Sequence, residues 1–321
     1  MATRGDAGER LDLVLRRHLD GEMRVTRTRV QRWIRDGAVL VNGRPVRRPA
    51  TRAAHGDMIV VSLPAPRPRM TMQPEAAPLE VIFEDEHLLA VNKPPGLVVH
   101  PTFRHPSGTL MNALLWRART WPGAQRPSLV GRLDRLTSGI VLVAKTRAMH
   151  AAVQRTLART VSEKSYLAVV YGRVPRPRGS IDVGLRRDAD DRRRVVASAR
   201  DGAPSLTQFE RLARVAAPRA GLSLLRCRLV TGRMHQIRVH LAARGWPIVG
   251  DPQYGEPRWS HVADPALADA LREFPRQALH AWTLSFPHPV GGARVQMAAP
   301  LPSDLTALLR AASLYSPQLV L

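Results

Sequence analysis

Residues 131–139 read Gly-Arg-Leu-Asp-Arg-Leu-Thr-Ser-Gly and run directly into Ile140-Val141-Leu142-Val143-Ala144. An acid between two arginines, then a Thr-Ser-Gly turn, then a β-branched run: this reads as a loop feeding a buried strand. Taken by itself, an aspartate in this setting is more often a turn or capping residue than a catalyst. Arg132 and Arg135 on either side favour its charged form in both roles.

Working outward, short apolar runs recur at Leu88–Asn92, Tyr166–Tyr171, Leu222–Val230 and Arg294–Met297. Helical spacing lies between them, near Leu110–Arg119, Met149–Leu157 and His235–Ala243. The pattern predicts an α+β domain with a large mixed or antiparallel sheet over residues 79–321. Arg186–Arg200 is charged and poorly patterned, and is expected to be a surface loop or hairpin. Residues 64–78 are rich in Pro and Arg without periodicity, which predicts a linker.

The first 63 residues form a separate unit. Leu11, Val14, Leu15 and Leu19 fall at helical spacing. Thr26 or Thr28 is expected to cap a second helix carrying Val30, Trp33 and Ile34, and Gly37 to stop it. Val39–Val41 reads as a strand, Asn42-Gly43 as a hairpin turn, and Met58–Ser62 as another strand. Thirteen arginines against seven acids make this unit basic.

Across 321 residues, 49 Lys+Arg oppose 26 Asp+Glu for a net charge of +23, and only Lys93, Lys145 and Lys164 are lysines. Arginine-rich codons explain Arg over Lys but not base over acid; the excess favours a polyanionic partner, nucleic acid before membrane. Cys227 is the single cysteine, so an intramolecular disulfide or a cysteine-rich zinc site is excluded. The polar start and the lack of a long apolar stretch lead to the expectation of a cytoplasmic protein without a membrane partner. His235 and His240 lie about 140° apart on a helix, so a metal site is not expected. Asp12 also lies in an Arg-Leu-Asp sequence, and is expected to cap the helix that begins there.

The segment around Asp134 resembles the signature of the RluA-type pseudouridine synthases, His-Arg-Leu-Asp-x-x-Thr-Ser-Gly. Further matches follow in family order: Asn92-Lys93-Pro94-Pro95-Gly96-Leu97 with His100-Pro101; Glu163-Lys164-Ser165-Tyr166-Leu167-Ala168; Thr231 to His240; Gly250-Asp251 with Tyr254-Gly255; and Leu279-His280-Ala281 with His288-Pro289. The first unit resembles an S-four-type RNA-binding module through Trp33-Ile34-x-x-Gly37, Val41-Asn42-Gly43 and Gly56-Asp57.

The resemblance implies a cofactor-independent isomerase with a central, largely antiparallel mixed sheet. It breaks the ribose–nitrogen 1 bond of a uridine in RNA and rejoins the sugar to carbon 5. Asp134 matches the catalytic aspartate, acting either on the anomeric carbon or on the carbon 2′ proton. Arg238 matches the arginine that pairs with it, for which a planar two-pronged grip is expected. Tyr166 matches the tyrosine that stacks on the uracil and assists loss of the carbon 5 proton. Arg132 matches the arginine that fills the space left by a flipped base. Gly131 departs from the usual histidine, which bears on RNA contacts more than on activity. The expected RNA contacts are Arg132, Arg135, Arg233 and His235, with Arg29, Arg32 and Arg35 in the N-terminal module. The substrate expected is large-subunit ribosomal RNA, acted on by a monomer. The rivals are a transfer-RNA synthase and a non-catalytic RNA-binding or ribosome-assembly protein.

Overall fold

A computed structural model describes residues 1–23, 25–63, 72–102, 105–123, 125–159, 162–215, 221–256, 258–262 and 264–319. The chain divides into two compact units, Met1–Thr71 and Met72–Leu321. Of the stretch expected to be a linker, 64–71 lies outside the described residues. Beyond it, the Gln73 carbonyl accepts from Asn112 Nδ2 at 2.7 Å and Glu75 Oε2 accepts from the Gly108 N–H at 2.8 Å, so these residues are tied to the second unit.

In the first unit, helices α1 (Leu11–Met23) and α2 (Arg27–Arg35) pack with a three-stranded antiparallel sheet of order β2-β1-β3 (β1 Val39–Val41, β2 Arg44–Pro45, β3 Ile59–Val61). Val30, Trp33 and Ile34, spaced at i, i+3 and i+4, join Leu11, Leu15, Val25 and Val39 in its core. Thr26 Oγ1 accepts from the Arg29 N–H, and Gly37 leaves the helix at φ +81°. Asn42 and Gly43 both take positive φ, 52° and 78°, as the tight hairpin between β1 and β2 requires. The expected cap at Asp12 is corrected. The residue lies inside the first turn of α1, and its fully buried carboxylate accepts from Arg10 Nε (2.9 Å), Arg27 Nε (3.0 Å) and Gln31 Nε2 (2.6 Å). It fastens α1 to α2.

The second unit is built on a ten-stranded mixed sheet. Its strands are β4 (Glu80–Glu84), β5 (Leu88–Lys93), β6 (Ser128–Leu129), β7 (Ser138–Ala144), β8 (Glu163–Tyr171), β9 (Arg178–Asp182), β12 (Leu206–Val215), β13 (Leu222–Leu229), β14 (Leu279–Pro287) and β15 (Arg294–Ala298). The main order is β4-β5-β7-β14-β8-β13-β12-β9, with β6 on β7 and β15 on β14. A separate hairpin, β10 (Leu185–Arg187) and β11 (Val195–Ala197), occupies the charged stretch at 186–200. Among the described residues only β7 and β14 run parallel, pairing His280 with Ser138 and Ala281 with Gly139.

That seam explains Gly139. A Cβ there would lie 2.2 Å from the Ala281 carbonyl oxygen, and φ is +107°, so only glycine lets the strands close. Beside it His280 is fully buried. Its Nε2 faces the Ala299 carbonyl at 3.3 Å and its Nδ1 the Ser138 hydroxyl at 2.9 Å. A carbonyl can only accept, so Nε2 carries the proton and the ring is neutral; burial lowers its pKa to about 4.

Strands β5 and β7 are covered on both faces, which is why they read as continuous apolar runs. Leu89, Val91, Val141 and Val143 point to α3 (Leu110–Arg117); Leu88, Ala90, Ile140 and Leu142 point to α4 (Arg147–Leu157). Helices α5 (Gln236–Ala243), α6 (Pro265–Glu273) and α7 (Ser303–Ala311) contribute to a third core with β8 and β13. No helix among the described residues is long and apolar enough to cross a membrane.

Candidate active site

The loop before β7 carries Asp134. The turn spans Asp134 to Thr137, closed by the Thr137 N–H on the Asp134 carbonyl at 3.0 Å; Ser138 and Gly139, expected within the turn, already belong to β7. Three buried side chains hold the loop from below. Lys93 Nζ donates to the carbonyls of Arg135 (3.0 Å), Pro94 (2.8 Å) and Leu97 (3.2 Å). Arg276 Nη1 reaches the Leu136 carbonyl at 3.3 Å while its Nε and Nη2 clasp Asp304 at 2.6 and 2.9 Å. Gln277 Nε2 donates to Thr137 Oγ1 at 3.0 Å. Burial and the nearby Arg276 charge pull the Lys93 pKa down to about 7, with Asp134 pulling the other way. The Lys93 motif is visible in the sequence, whereas the roles of Arg276 and Gln277 are not: they arrive from 140 residues away along the chain.

Arg238, on the first turn of α5, is 5% exposed and joins two acids. Its Nη1 donates to Asp134 Oδ2 at 2.9 Å. The two-pronged grip expected for Asp134 is made instead with Asp251, through Nε to Oδ2 at 2.7 Å and Nη2 to Oδ1 at 2.8 Å. The reason is directional: the guanidinium edge carrying Nε and Nη2 faces the buried Asp251, which leaves Nη1 toward the cleft. Burial pushes the Asp251 pKa up, but the Arg238 bonds and the N–H groups of Gln253 and Tyr254 outweigh it and hold the group below its ordinary value. Burial likewise disfavours the Arg238 charge, and its bonds to Asp251 reverse this.

His235 begins α5 in a left-handed conformation, φ +55°. This aims Nε2 at Asp134 Oδ1, 3.6 Å away, and Nδ1 at the Tyr254 hydroxyl, 2.9 Å away. Burial lowers its pKa, against the raising effect of Asp134. Tyr254 also accepts from the Val195 N–H at 2.8 Å and lies against the Arg238 guanidinium at 4.9 Å. Thus β11 of the charged hairpin is tied to the Asp134 network. His240 belongs elsewhere; its ring is taken up by Thr207 Oγ1 (2.9 Å) and the Val183 carbonyl (3.0 Å).

These groups open into a cleft of about 600 Å³ lined by Arg132, Asp134, Ile140, Tyr166, Arg233, His235 and Arg238, among others. Tyr166 is partly buried on β8, and burial, with a smaller effect of Asp134, pushes its phenol up to about 12. Asp134, Tyr166 and Arg238, far apart in sequence, therefore meet at one cleft. Arg132 and Arg233 line it from exposed positions; Arg135 is exposed beside it, its carbonyl held by Lys93. In the first unit Arg29, Arg32 and Arg35 are exposed and recur every three residues along α2, so they share one face. Arg29 also stacks on Trp33 at 5.1 Å, and Arg32 lies 3.6 Å from Asp36. Gly131 adopts φ +98° with open space where a Cβ would point, a conformation that strains a histidine.

A carboxylate held by a guanidinium in a cleft that also carries a tyrosine and exposed arginines suits acid–base or nucleophilic work on a polyanionic substrate. Residues 87–243 match the family described as RNA pseudouridylate synthase, and residues 9–59 match the S4 domain. A ribosomal large subunit pseudouridine synthase D of Xanthomonas campestris is 41% identical over 307 residues, 95% of this chain and 89% of the relative. An uncharacterized RNA pseudouridine synthase of Bacillus subtilis is 38% identical over 287 residues, 88% of each chain. Among solved structures, human RNA pseudouridylate synthase domain containing 1 superposes with TM-score 0.56 at 27% identity, covering 75% of this chain and 90% of that one. The chain belongs to the RNA pseudouridylate synthase family, with an S4 domain at its N-terminus. Its activity is the isomerisation of uridine within RNA.

Proposed function

We propose that the protein converts specific uridines of large-subunit ribosomal RNA to pseudouridine, with Asp134 as the catalytic carboxylate. The observation that carries this reading is the state of that carboxylate: Asp134 lines the cleft with Oδ2 held by Arg238, while Oδ1, 3.6 Å from the His235 ring, accepts no hydrogen bond among the described residues. An oriented, partly solvated oxygen can attack the anomeric carbon or take the carbon 2′ proton. The nitrogen–sugar bond breaks, the uracil turns, and carbon 5 joins the sugar. The proton lost from carbon 5 is balanced by one gained at nitrogen 1, so no oxidant or group donor enters.

Arg238 keeps Asp134 aligned, and Asp251 and Tyr254 keep Arg238 aligned. Tyr166 stacks the face of its ring on the uracil and assists loss of the carbon 5 proton. Arg132 enters the stack in place of the flipped uridine, and Arg135, Arg233 and His235 meet the adjoining RNA. Residues 1–63, through Arg29, Arg32 and Arg35, hold a second stretch of the same RNA; the catalytic unit begins at Met72, earlier than the expected 79, and the protein works as a monomer. The names of the relatives and the net charge of +23 support ribosomal RNA as substrate.

Pseudouridine mapping of total RNA from cells with and without the gene tests this. Loss of signal at defined large-subunit positions is the expected result. Loss confined to transfer RNA moves the assignment to that substrate, and an unchanged map leaves a non-catalytic RNA-binding role.

A further inference from the structure

Only three of the 49 Lys+Arg residues are lysines. Two are fully engaged: Lys93 on three carbonyls, Lys145 on the Asp85 carbonyl (2.6 Å) and Glu84 (3.0 Å). Lys164 has neither a hydrogen bond nor an ion pair among the described residues, although it is half-buried. It lines the same cleft as Asp134 and lies two residues before Tyr166 on β8, so both side chains leave the same face of the strand. Across the sheet it pairs with Leu284, and Leu157, Leu229 and Ala158 line the cleft around it. Burial lowers its pKa, with no acid opposing. A half-buried ammonium costs stability unless an anion meets it, and among the described residues no acid pairs with it.

We propose that Lys164 is a phosphate-binding residue, receiving a phosphodiester that adjoins the target uridine in the part of the cleft lined by α4 and β8. This rests on the synthase reading, because a uridine delivered to Asp134 and Tyr166 brings its flanking backbone with it. RNA offers one kind of anion, and a compact ammonium suits it as a point charge. Gln154, Ser162 and Thr283 line the same cleft as Lys164 and Tyr166, so its lining includes polar side chains besides those assigned to the reacting base.

The test uses the full chain and a synthetic large-subunit ribosomal RNA stem-loop carrying the mapped uridine. A neutral methylphosphonate replaces each flanking phosphodiester in turn, and binding is titrated for the wild type and Lys164→Gln. At one flanking position the replacement should weaken wild-type binding about tenfold. Lys164→Gln should lose about tenfold with unmodified RNA and nothing further at that position, and its salt slope should be shallower by ~0.7–0.9. KM should rise about tenfold with kcat within about twofold, and Lys164→Arg should restore most of the loss. Wild-type indifference to both methylphosphonates, or losses that add in the variant, overturns the proposal; so does a fall in kcat at unchanged KM. If the wild type binds yet forms no pseudouridine, the synthase reading fails while the binding comparison still decides the role of Lys164. If it shows no saturable RNA binding, both fall.

Discussion

The tripeptide Arg-Leu-Asp occurs at residues 10–12 and again at 132–134, and its two aspartates end in opposite surroundings. Asp12 has no exposed side-chain surface, and Arg10, Arg27 and Gln31 occupy both of its oxygens. Asp134 keeps 19% of its side-chain surface and one bond to Arg238, and its other oxygen accepts no hydrogen bond among the described residues, with the His235 ring 3.6 Å away. The first arginine differs as well: Arg10 turns back onto its own aspartate, while Arg132 is exposed at the cleft. A saturated carboxylate is a fastener, and nothing remains on it to react. On the proposed reading, a carboxylate held at one oxygen is a tool, and the supports that a fastener carries itself come from elsewhere, here Asp251, Lys93, Arg276 and Gln277. The lesson is that a short motif does not distinguish the two roles; the number of donors around the acid does.

The comparison can be broken first at Asp251. Asp251→Ala removes the anchor of Arg238 and leaves a buried guanidinium with half its partners. A stability loss of about 3–5 kcal/mol is expected, together with a fall in turnover of about a hundredfold even where the protein remains folded. Thermal melting and single-turnover pseudouridine formation measure the two effects. Unchanged turnover in a folded variant means that Arg238 does not need Asp251.

Next comes Asp12. Asp12→Ala should weaken the first unit by about 2 kcal/mol, since Gln31 loses a buried acceptor while both arginines can reach water. Hydrogen exchange of the α2 amides in the full chain should speed up, and turnover at saturating RNA should change little. Acid tests the same point. The folded pKa of Asp12 is depressed: burial raises it, but Arg10, Gln31 and Arg27 outweigh that. Its contribution is therefore present above the unfolded carboxylate pKa, about 3.9, and is lost as pH falls through the folded value. Exchange protection in α2 should fall off below about pH 4 in the wild type, and less steeply in Asp12→Asn. Equal slopes contradict the fastener assignment.

The smallest effects separate the two leading arginines. Arg10→Ala should cost about 0.5–1 kcal/mol in the first unit, because the pair is partly exposed, and leave kcat unaltered. Arg132→Ala should leave melting unchanged and lower kcat/KM about tenfold. Both follow from the same two assays, and a reversed pattern would remove the distinction drawn here.

Much of this is legible in the sequence itself. The runs that became β5, β7, β8 and β13 stood out because both faces are buried, and the Thr26 cap, the Gly37 stop and the Asn42-Gly43 turn follow from local chemistry. Strand β14 was not legible as a strand, although it is central to the sheet. His280, Thr283 and Ser285 interrupt its apolar run, and His280 is buried only because Ser138 and the Ala299 carbonyl meet it. Strand β12 hides behind its charges, with Thr207 and Phe209 buried on either side of the exposed Gln208. The short helices α6 and α7 carry helical spacing, but no apolar run long enough to mark them. At the site, the motifs named Asp134, Tyr166 and Arg238. They did not reveal that Arg238 grips Asp251 more fully than Asp134, since sequence order carries no information about which edge of a guanidinium faces the core.

The most direct measurement is pseudouridine formation by Asp134→Asn on a large-subunit ribosomal RNA fragment, with RNA affinity and thermal melting measured on the same preparation. The amide keeps the size of the side chain but is neither a competent nucleophile nor a useful base. Turnover should drop below detection, at least about a thousandfold, while affinity stays within about threefold and the melting temperature within a few degrees. Turnover close to that of the wild type, in a variant that folds and binds, would show that the open oxygen of Asp134 is not what performs the reaction.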